Sequence, residues 1–162
     1  MQHSHVPFFD RLRQLLPARP PDSAFGCGTQ ALARLRLEEA HDAFVEALAG
    51  ARDAAEIARV RNKLAIVALR RDGVAAAVEQ LVLALEADPR CAAAITTIGN
   101  LLLEDGDVDE AIVHFEYALL IDDAYAPAYH NLGVALHRTG RRGPAVRMLR
   151  KATRLEARMK RT

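Results

Sequence analysis

The residues whose types and spacing suggest chemistry most directly form an acidic run at 104–110. Counted from Asp105, carboxylates fall at the first, third, fifth and twelfth positions, which is the spacing of a calcium-binding loop. The sixth position of such a loop needs glycine for its sharp turn, and Glu110 stands there. We therefore predict no calcium site in this run.

Other metal-ligating side chains are scattered. His130 and His137 lie seven residues apart, two turns along one predicted helix, too far apart for one ion without further ligands. His3 has a spacing from the amino terminus that suits Cu²⁺ or Ni²⁺, but short motifs of this kind recur by chance. Cys27 and Cys91 have no metal-ligand spacing and are predicted to be reduced thiols. The sequence predicts neither a bound metal nor a cofactor.

No side chains can be paired as a nucleophile and its base. Gly26-Cys27-Gly28 lacks the spacing and the lysine of a phosphate-binding loop. No apolar run approaches the length of about 18 residues expected of a membrane span, and the N-terminus lacks the pattern of a secretion signal. These features predict a non-enzymatic, cytoplasmic protein.

Charge is segregated along the chain, although the net charge is only +1. Residues 72–125 contain twelve acidic side chains and one basic one, whereas residues 138–162 contain ten Lys or Arg and one acid. From Pro144 onward, apolar and basic stripes at helical spacing predict a basic amphipathic helix. Its basic stripe is formed by Arg147, Arg150, Lys151, Arg154 and Arg158.

The elements that must position these side chains repeat with a period of 34 residues. Residues 92–125 and 126–159 align without a gap, a near-copy occupies 58–91, and a divergent copy occupies about 21–54. Aligned pairs include Gly99 with Gly133, Gly106 with Gly140, Ala111 with Ala145, and Ala118 with Ala152. A period in this range indicates a stacked array in which each unit contacts its neighbours.

Each unit is predicted to be two helices joined by a tight turn. In 92–125 the first helix covers about 93–104, and Gly106 ends it because a residue past a helix C-terminus often needs a positive φ. Asp107 and Asp109 are expected to accept backbone hydrogen bonds where the second helix begins. Small residues such as Gly99 are expected to let the two helices approach closely.

Two turns depart from the pattern. The divergent unit has Leu35 where the later units have the turn glycine, and in unit 58–91 the glycine, Gly73, is displaced by one position. About three extra residues around Asp53 separate these two units.

The units resemble tetratricopeptide repeats, whose pattern is a large residue, Leu-Gly, a turn glycine, and then Ala, Phe, Ala and Pro. The last unit carries this pattern as Tyr129, Leu132-Gly133, Gly140, Ala145, Leu149 and Ala152, and the unit before it as Ile95, Ile98-Gly99, Gly106, Ala111, Phe115 and Ala118. The resemblance implies an all-α, right-handed solenoid of about four stacked helix-turn-helix units over residues 22–162.

Residues 1–21 are predicted to be an amphipathic helix followed by a proline-rich linker. Residues 7–16 place Phe8, Phe9 and Leu12 on one apolar stripe, and prolines at 17, 20 and 21 break the helix. Such a helix would cap the first face of the array, or dock on a partner or a membrane surface.

In this family the first helices of successive units line a concave face. When the positions of this face are transferred to the present sequence, the resemblance implies a partner-binding groove. Its residues are Asn62, Lys63, Ile66, Arg70, Thr96, Asn100, Leu103, Glu104, His130, Asn131, Val134, His137 and Arg138, with Arg59, Leu69 and Thr97 beside them. The clamp of Lys, Arg and Asn with which members hold a terminal carboxylate is not matched.

These features predict a protein–protein interaction module, a scaffold, adaptor or co-chaperone-like protein that binds a peptide or partner segment in the groove. One alternative is binding of nucleic acid, an anionic membrane or an acidic protein through the basic C-terminal helix. Another is a homo-oligomer formed by charge-driven self-association, with the acidic third unit against the basic fourth.

Overall fold

The structure, a computed structural model, describes residues 21–161, which form eight α-helices and no strand. In chain order the helices are α1 Pro21–Ala33, α2 Leu37–Ala49, α3 Ala54–Arg71, α4 Val74–Ala87, α5 Ala92–Asp105, α6 Val108–Ile121, α7 Ala126–Arg138 and α8 Arg142–Met159. Pro21, predicted to lie in the linker, begins α1. The predicted helix at 7–16 lies outside the described residues.

Consecutive helices pack in pairs, α1 with α2, α3 with α4, α5 with α6, and α7 with α8. The first helix of each pair also contacts both helices of the preceding pair, so the hairpins stack in series. This arrangement confirms the all-α solenoid of helical hairpins. The extra residues predicted around Asp53 lengthen α3, which has 18 residues where α5 has 14.

In three of the four hairpins a glycine on the first helix faces a large residue on the second. A Cβ placed on Gly99 would lie 2.6 Å from Cε1 of Phe115, and one on Gly133 would lie 2.7 Å from Cγ of Leu149. Gly28 meets Phe44 in the same way. Because a carbon cannot approach another carbon that closely, these positions need glycine for the helices to pack at this distance.

Three of the four turns inside the hairpins share one backbone conformation. Gly106 and Gly140 have positive φ values of 102° and 77°, and Leu35 adopts a φ of 58° at the corresponding position. In the turn between α3 and α4, Asp72 has an ordinary φ of −118° and the positive φ of 99° falls one residue later, on Gly73. This turn therefore connects its two helices through a different backbone path.

Asp107 occupies the N-cap position of α6, but its side chain makes no capping hydrogen bond. The prediction that it accepts one was wrong, and the backbone explains why. Asp53, at the N-cap of α3, has an extended backbone with ψ 169° and accepts a 2.7 Å hydrogen bond from the amide of Glu56. Asp107 has a ψ of 64°, outside the conformation in which an N-cap side chain usually reaches the next turn. Asp109, predicted to accept a backbone hydrogen bond too, accepts none from the described residues; its Oδ1 lies 3.5 Å from Nη2 of Arg141, and it lies in the first turn of α6, where the helix dipole favours a carboxylate.

Buried side chains fill the junction between hairpins α5/α6 and α7/α8. Ile112, Leu132 and Leu136 are 5%, 4% and 7% exposed, and they cluster with Phe115. Leu103, predicted to line the groove, belongs to the same buried cluster. This junction is closed, and we call it the 3/4 junction.

Candidate functional site: the groove of the first helices

All thirteen residues predicted to form the groove lie on α3, α5 and α7, which contact one another in series. Three of these residues, Asn62, Thr96 and Leu103, are at most 7% exposed. They support the groove from beneath and have almost no surface for a ligand. The other ten retain partly or fully exposed surface.

Polar side chains of the groove bond to one another across the helices. Thr97 Oγ1 lies 2.7 Å from Oδ1 of Asn62, and this buried hydrogen bond joins α5 to α3. The side-chain amide of Asn131 donates to Oδ1 of Asn100 at 2.7 Å and joins α7 to α5. Because a buried polar group left without a partner is destabilising, these pairs hold the relative positions of the three helices. Asn100 therefore has a structural role besides any contact with a ligand.

Arg138, at the C-terminal end of α7, makes a third hydrogen bond between neighbouring helices. Its guanidinium Nη1 donates to the backbone carbonyl oxygen of Leu103 at 2.9 Å. That carbonyl lies in the last turn of α5, where carbonyl groups lack partners within the helix. Arg138 thus ties α7 to the end of α5, beside the exposed Glu104.

A cavity of about 460 Å³ lies between α3 and α5 inside the groove. Its lining residues are Ile66, Leu69, Arg70, Thr97, Asn100, Leu101 and Glu104. Arg70 and Glu104 are exposed and lie on opposite helices, while Ile66, Leu69 and Leu101 supply an apolar surface between them. An apolar surface with a few polar groups is typical of a ligand site.

Lys63 is a cation on α3, about one turn before Ile66 of the cavity wall, and is not itself among the residues that line the cavity. It is half-buried on α3, and burial lowers the pKa of its ammonium group below the usual range. Among residues 21–161, Lys63 makes no hydrogen bond or ion pair. An ammonium group in this position would gain a favourable interaction from an anionic ligand.

The candidate metal ligands lie in helices and turns that do not gather them. His130 and His137 are both exposed on α7. Residues 111–116 lie inside α6, whereas a calcium loop that starts at Asp105 would need them as loop. In the described residues, no group of three or more His, Cys, Asp or Glu side chains could hold a metal ion. His3 lies outside the described residues.

The two cysteines have different surroundings. Cys91 stands at the N-cap of α5, buried in a cluster of mainly alanine and leucine side chains, and burial raises the pKa of its thiol. Cys27 is half-buried on α1. A thiol whose pKa is raised stays protonated and packs as a small apolar side chain, so Cys91 is part of the core.

The basic residues predicted at the C-terminal end lie on α8, whose buried Ala145 and Ala152 pack it onto α7. Nζ of Lys151 lies 5.6 Å from the ring centroid of Tyr129 on α7, a cation–π distance. The other four, Arg147, Arg150, Arg154 and Arg158, are exposed. Between residues 21 and 161, none of these four forms an ion pair. No helix in that range is long and apolar enough to cross a bilayer.

The sequence did not indicate which groove residues pair with each other. Two hydrogen bonds join neighbouring helices, and Leu101 lies in the cavity wall. Both features depend on how the helices stack, which the sequence did not indicate. A usable signal was the position of Thr97 and Asn131, which occupy the same place in successive units and both carry short polar side chains.

Comparison with known families matches the last two units. A model described as "TPR repeat" matches residues 99–140, and one described as "Tetratricopeptide repeat" matches residues 126–158. A search of curated proteins finds no match.

Several solved structures share the fold. MamA is 20% identical with a TM-score of 0.58, covering 95% of this chain and 88% of its own. PilF of Pseudomonas aeruginosa is 24% identical with a TM-score of 0.65, covering 84% of this chain and 61% of its own, so this chain spans about three fifths of PilF. YrrB, described as a TPR protein with an unusual peptide-binding site, is 26% identical with a TM-score of 0.54, covering 85% of this chain and 69% of its own. The 34-residue period, the stacked hairpins and the family models that match residues 99–158 together show that this chain contains tetratricopeptide repeats.

Proposed function

We propose that this protein is a non-enzymatic, cytoplasmic interaction module whose groove binds an extended peptide segment that carries a carboxylate. The repeats support a role in protein binding, since stacked helical arrays offer a preformed surface to a partner. The observation that carries the finer proposal is Lys63, a half-buried cation with no partner among the described residues.

The surroundings of Lys63 indicate how such a peptide would lie. Lys63 and Arg70 are seven residues apart on α3, which places them on one face about 10 Å apart. Between them Ile66 offers an apolar contact, and Asn100 on the opposite wall carries an amide that suits a peptide backbone. A peptide could place a carboxylate beside Lys63 and a small apolar side chain over Ile66. It would then contact both residues and the amide of Asn100 at the same time. Because the groove is preformed, the ordering cost falls mainly on the peptide.

Selection from a peptide library displayed on phage, followed by fluorescence anisotropy titration, tests this proposal. The selected peptides should contain Asp, Glu or a free carboxyl terminus, and Lys63→Met should weaken their binding at least tenfold. The matched control is Lys151→Met, which removes the same charge from α8 outside the groove and should leave the affinity unchanged. Equal affinity for wild type and Lys63→Met would contradict the proposal.

The stability of Lys63→Met separates a binding role from a structural one. The pKa of Lys63 is lowered in the folded chain, so the unfolded chain holds this proton more tightly and the buried charge opposes folding at neutral pH. Lys63→Met should therefore unfold at the same temperature as the wild type or higher, while binding less well. Deprotonation of Lys63 removes the positive charge that would attract the carboxylate of the peptide. Peptide affinity should therefore fall as the pH rises through the lowered pKa of Lys63.

A second candidate function is binding of nucleic acid or an anionic membrane by α8. It is supported by Arg147, Arg150, Arg154 and Arg158, which are exposed and form no ion pair within residues 21–161. This candidate predicts binding that weakens steeply with salt and is lost when Arg147, Arg150 and Arg154 become Gln. Absence of binding to duplex DNA, single-stranded RNA and anionic vesicles at low salt would remove it.

A further inference from the structure

A second cavity lies on the other side of α5 from the groove, between α4 and α5. It has a volume of about 580 Å³, within the range typical of ligand sites. Its α4 wall carries Val74, Val78 and Val82, which are 57%, 44% and 50% exposed. Its α5 wall carries Ile98 and Leu102, both partly exposed. We call this cavity the α4/α5 cleft.

Three residues of the cleft occupy repeat positions that are buried in the closed 3/4 junction, while Val82 corresponds to the exposed Glu116. Val78 corresponds to Ile112, Ile98 corresponds to Leu132, and Leu102 corresponds to Leu136 in the following unit. The later three side chains are buried, whereas the earlier three retain exposed surface. Hairpins α3/α4 and α5/α6 thus meet at an open junction, the 2/3 junction, with an apolar surface that no described residue covers.

The shape of the cleft fits an α-helix. Val74, Val78 and Val82 lie at every fourth position of α4 and form one of the ridges with which helices interlock. The α4 wall runs from Val74 to Leu85, a length of about 16 Å at the helical rise per residue. A helical segment of about three turns matches this length, and its apolar ridge would lie between the two walls.

The negative charge around the cleft determines which kind of helix would be attracted to it. Glu104 and Asp105 line one end, and no basic residue lines the cleft. This end is also the C-terminus of α5, where the helix dipole adds negative partial charge. Residues 72–125 carry twelve acidic side chains against Arg90 alone. A helix with Lys or Arg beside its apolar ridge would therefore be attracted, and an acidic one repelled.

The basic helix of this chain is not available for the cleft. The apolar stripe of α8 is already packed on α7 through Ala145 and Ala152. Its exposed face is dominated by arginine, and an apolar wall cannot accommodate that face without burying unpaired charge. The occupant must bring an apolar ridge of its own.

We propose that the α4/α5 cleft is a second protein-docking surface, and that it binds an amphipathic helix of a partner protein with an apolar ridge flanked by basic residues. This surface lies beside the groove proposed to bind an extended peptide, and the two share Leu101 and Glu104 at their boundary.

The test uses the full chain and two labelled 14-residue helical peptides, one of Leu and Lys and one of Leu and Glu with the same apolar stripe. Fluorescence anisotropy at low salt should show binding of the Leu/Lys peptide and at least tenfold weaker binding of the Leu/Glu peptide. Replacing Val78 and Val82 by Asn should weaken the Leu/Lys peptide at least tenfold. Val113→Asn is the matched control, because Val113 is 61% exposed on α6 outside the cleft.

The outcomes are distinct. Circular dichroism should show that the Asn variants keep the helical fold, since about half of each replaced side chain is already exposed. Equal binding of the Leu/Lys peptide to the wild type and to the Val78/Val82 variant overturns the proposal, as does equal binding of the two peptides. A wild-type dimer that this variant dissociates would assign the cleft to a second copy of the chain and overturn it as well. If the Leu/Lys peptide binds only after residues 1–20 are removed, the cleft would be assigned to that segment. This result would also overturn the proposal.

Discussion

The 2/3 and 3/4 junctions carry nearly the same apolar pattern but pack differently. At the 3/4 junction Ile112 and Leu132 are buried, and the hairpins meet in a closed core. At the 2/3 junction the corresponding Val78 and Ile98 remain partly exposed, and a cavity of about 580 Å³ opens between α4 and α5, which still contact each other through Leu81 and its neighbours. Apolar residues at the correct positions are therefore necessary for a closed junction but not sufficient.

The turns that precede the two junctions also differ, in which residue has the positive φ. The α5–α6 turn places its positive φ on Gly106, whereas the α3–α4 turn places it on Gly73, one residue later. Since a turn sets the direction in which the next helix leaves, we infer that the displaced glycine directs α4 away from α5.

The largest expected effect comes from truncating equivalent residues at the two junctions. Ile112→Ala should lower the free energy of unfolding by about 2–5 kcal/mol, because it leaves a cavity in a packed core. Val78→Ala should change it by less than about 1 kcal/mol, because Val78 is already 44% exposed. Urea denaturation of both variants measures the difference. Similar losses for the two would mean that the 2/3 junction is closed.

An intermediate effect is expected from the turn glycine. Gly73→Asp alone should destabilise the fold by about 1–3 kcal/mol, since Gly73 has φ 99° and ψ −175°, a conformation almost restricted to glycine. Adding Asp72→Gly produces the Gly-Asp order of residues 106–107, so the double variant should recover most of that loss.

The double variant also tests whether the turn opens the junction. With the turn rebuilt as in the next unit, α4 should move toward α5, and the affinity for the Leu/Lys peptide should fall. Recovery of stability together with unchanged peptide binding would show that the turn does not determine the cleft.

Sequence periodicity could predict the hairpins and their glycines, because close helix packing and a positive φ each demand a specific residue type. Gly99 against Phe115 and Gly106 at the turn are examples. It did not predict the α4/α5 cleft, since Val78 and Ile112 are both apolar, although Val82 of the cleft corresponds to Glu116 in the next unit and so differs in sequence. The displacement of Gly73 was visible in the sequence, but its effect on the direction of α4 depends on the whole hairpin.

The partner-binding groove stays a prediction. The positions carried over from the family fall on three helices in contact, with Lys63 half-buried and Glu104 exposed. Burial of Asn62 and Leu103 was not predictable, because a residue near the edge of a helix face turns inward or outward according to the exact stacking of the next helix.

The smallest expected effect concerns the first turn. Leu35 has the φ of 58° that Gly106 and Gly140 supply without strain, and its side chain is largely exposed. Leu35→Gly should therefore stabilise the protein by about 1 kcal/mol, because it removes the penalty of a side chain in the left-handed region. Leu35→Ala keeps that penalty and serves as the control. Thermal unfolding of the two variants should show a higher midpoint for the glycine variant alone.

The most direct test of the open junction is the reactivity of a cysteine placed at the same repeat position in the two units. Val78→Cys and Ile112→Cys would each be labelled with a thiol reagent under native conditions, and mass spectrometry would follow the new cysteine separately from Cys27 and Cys91. Cysteine at 78 should react within about tenfold of the rate in the unfolded chain, and cysteine at 112 at least about a hundredfold more slowly, because its reaction requires local unfolding. Equally slow labelling at both positions would contradict an open 2/3 junction and the docking surface proposed there.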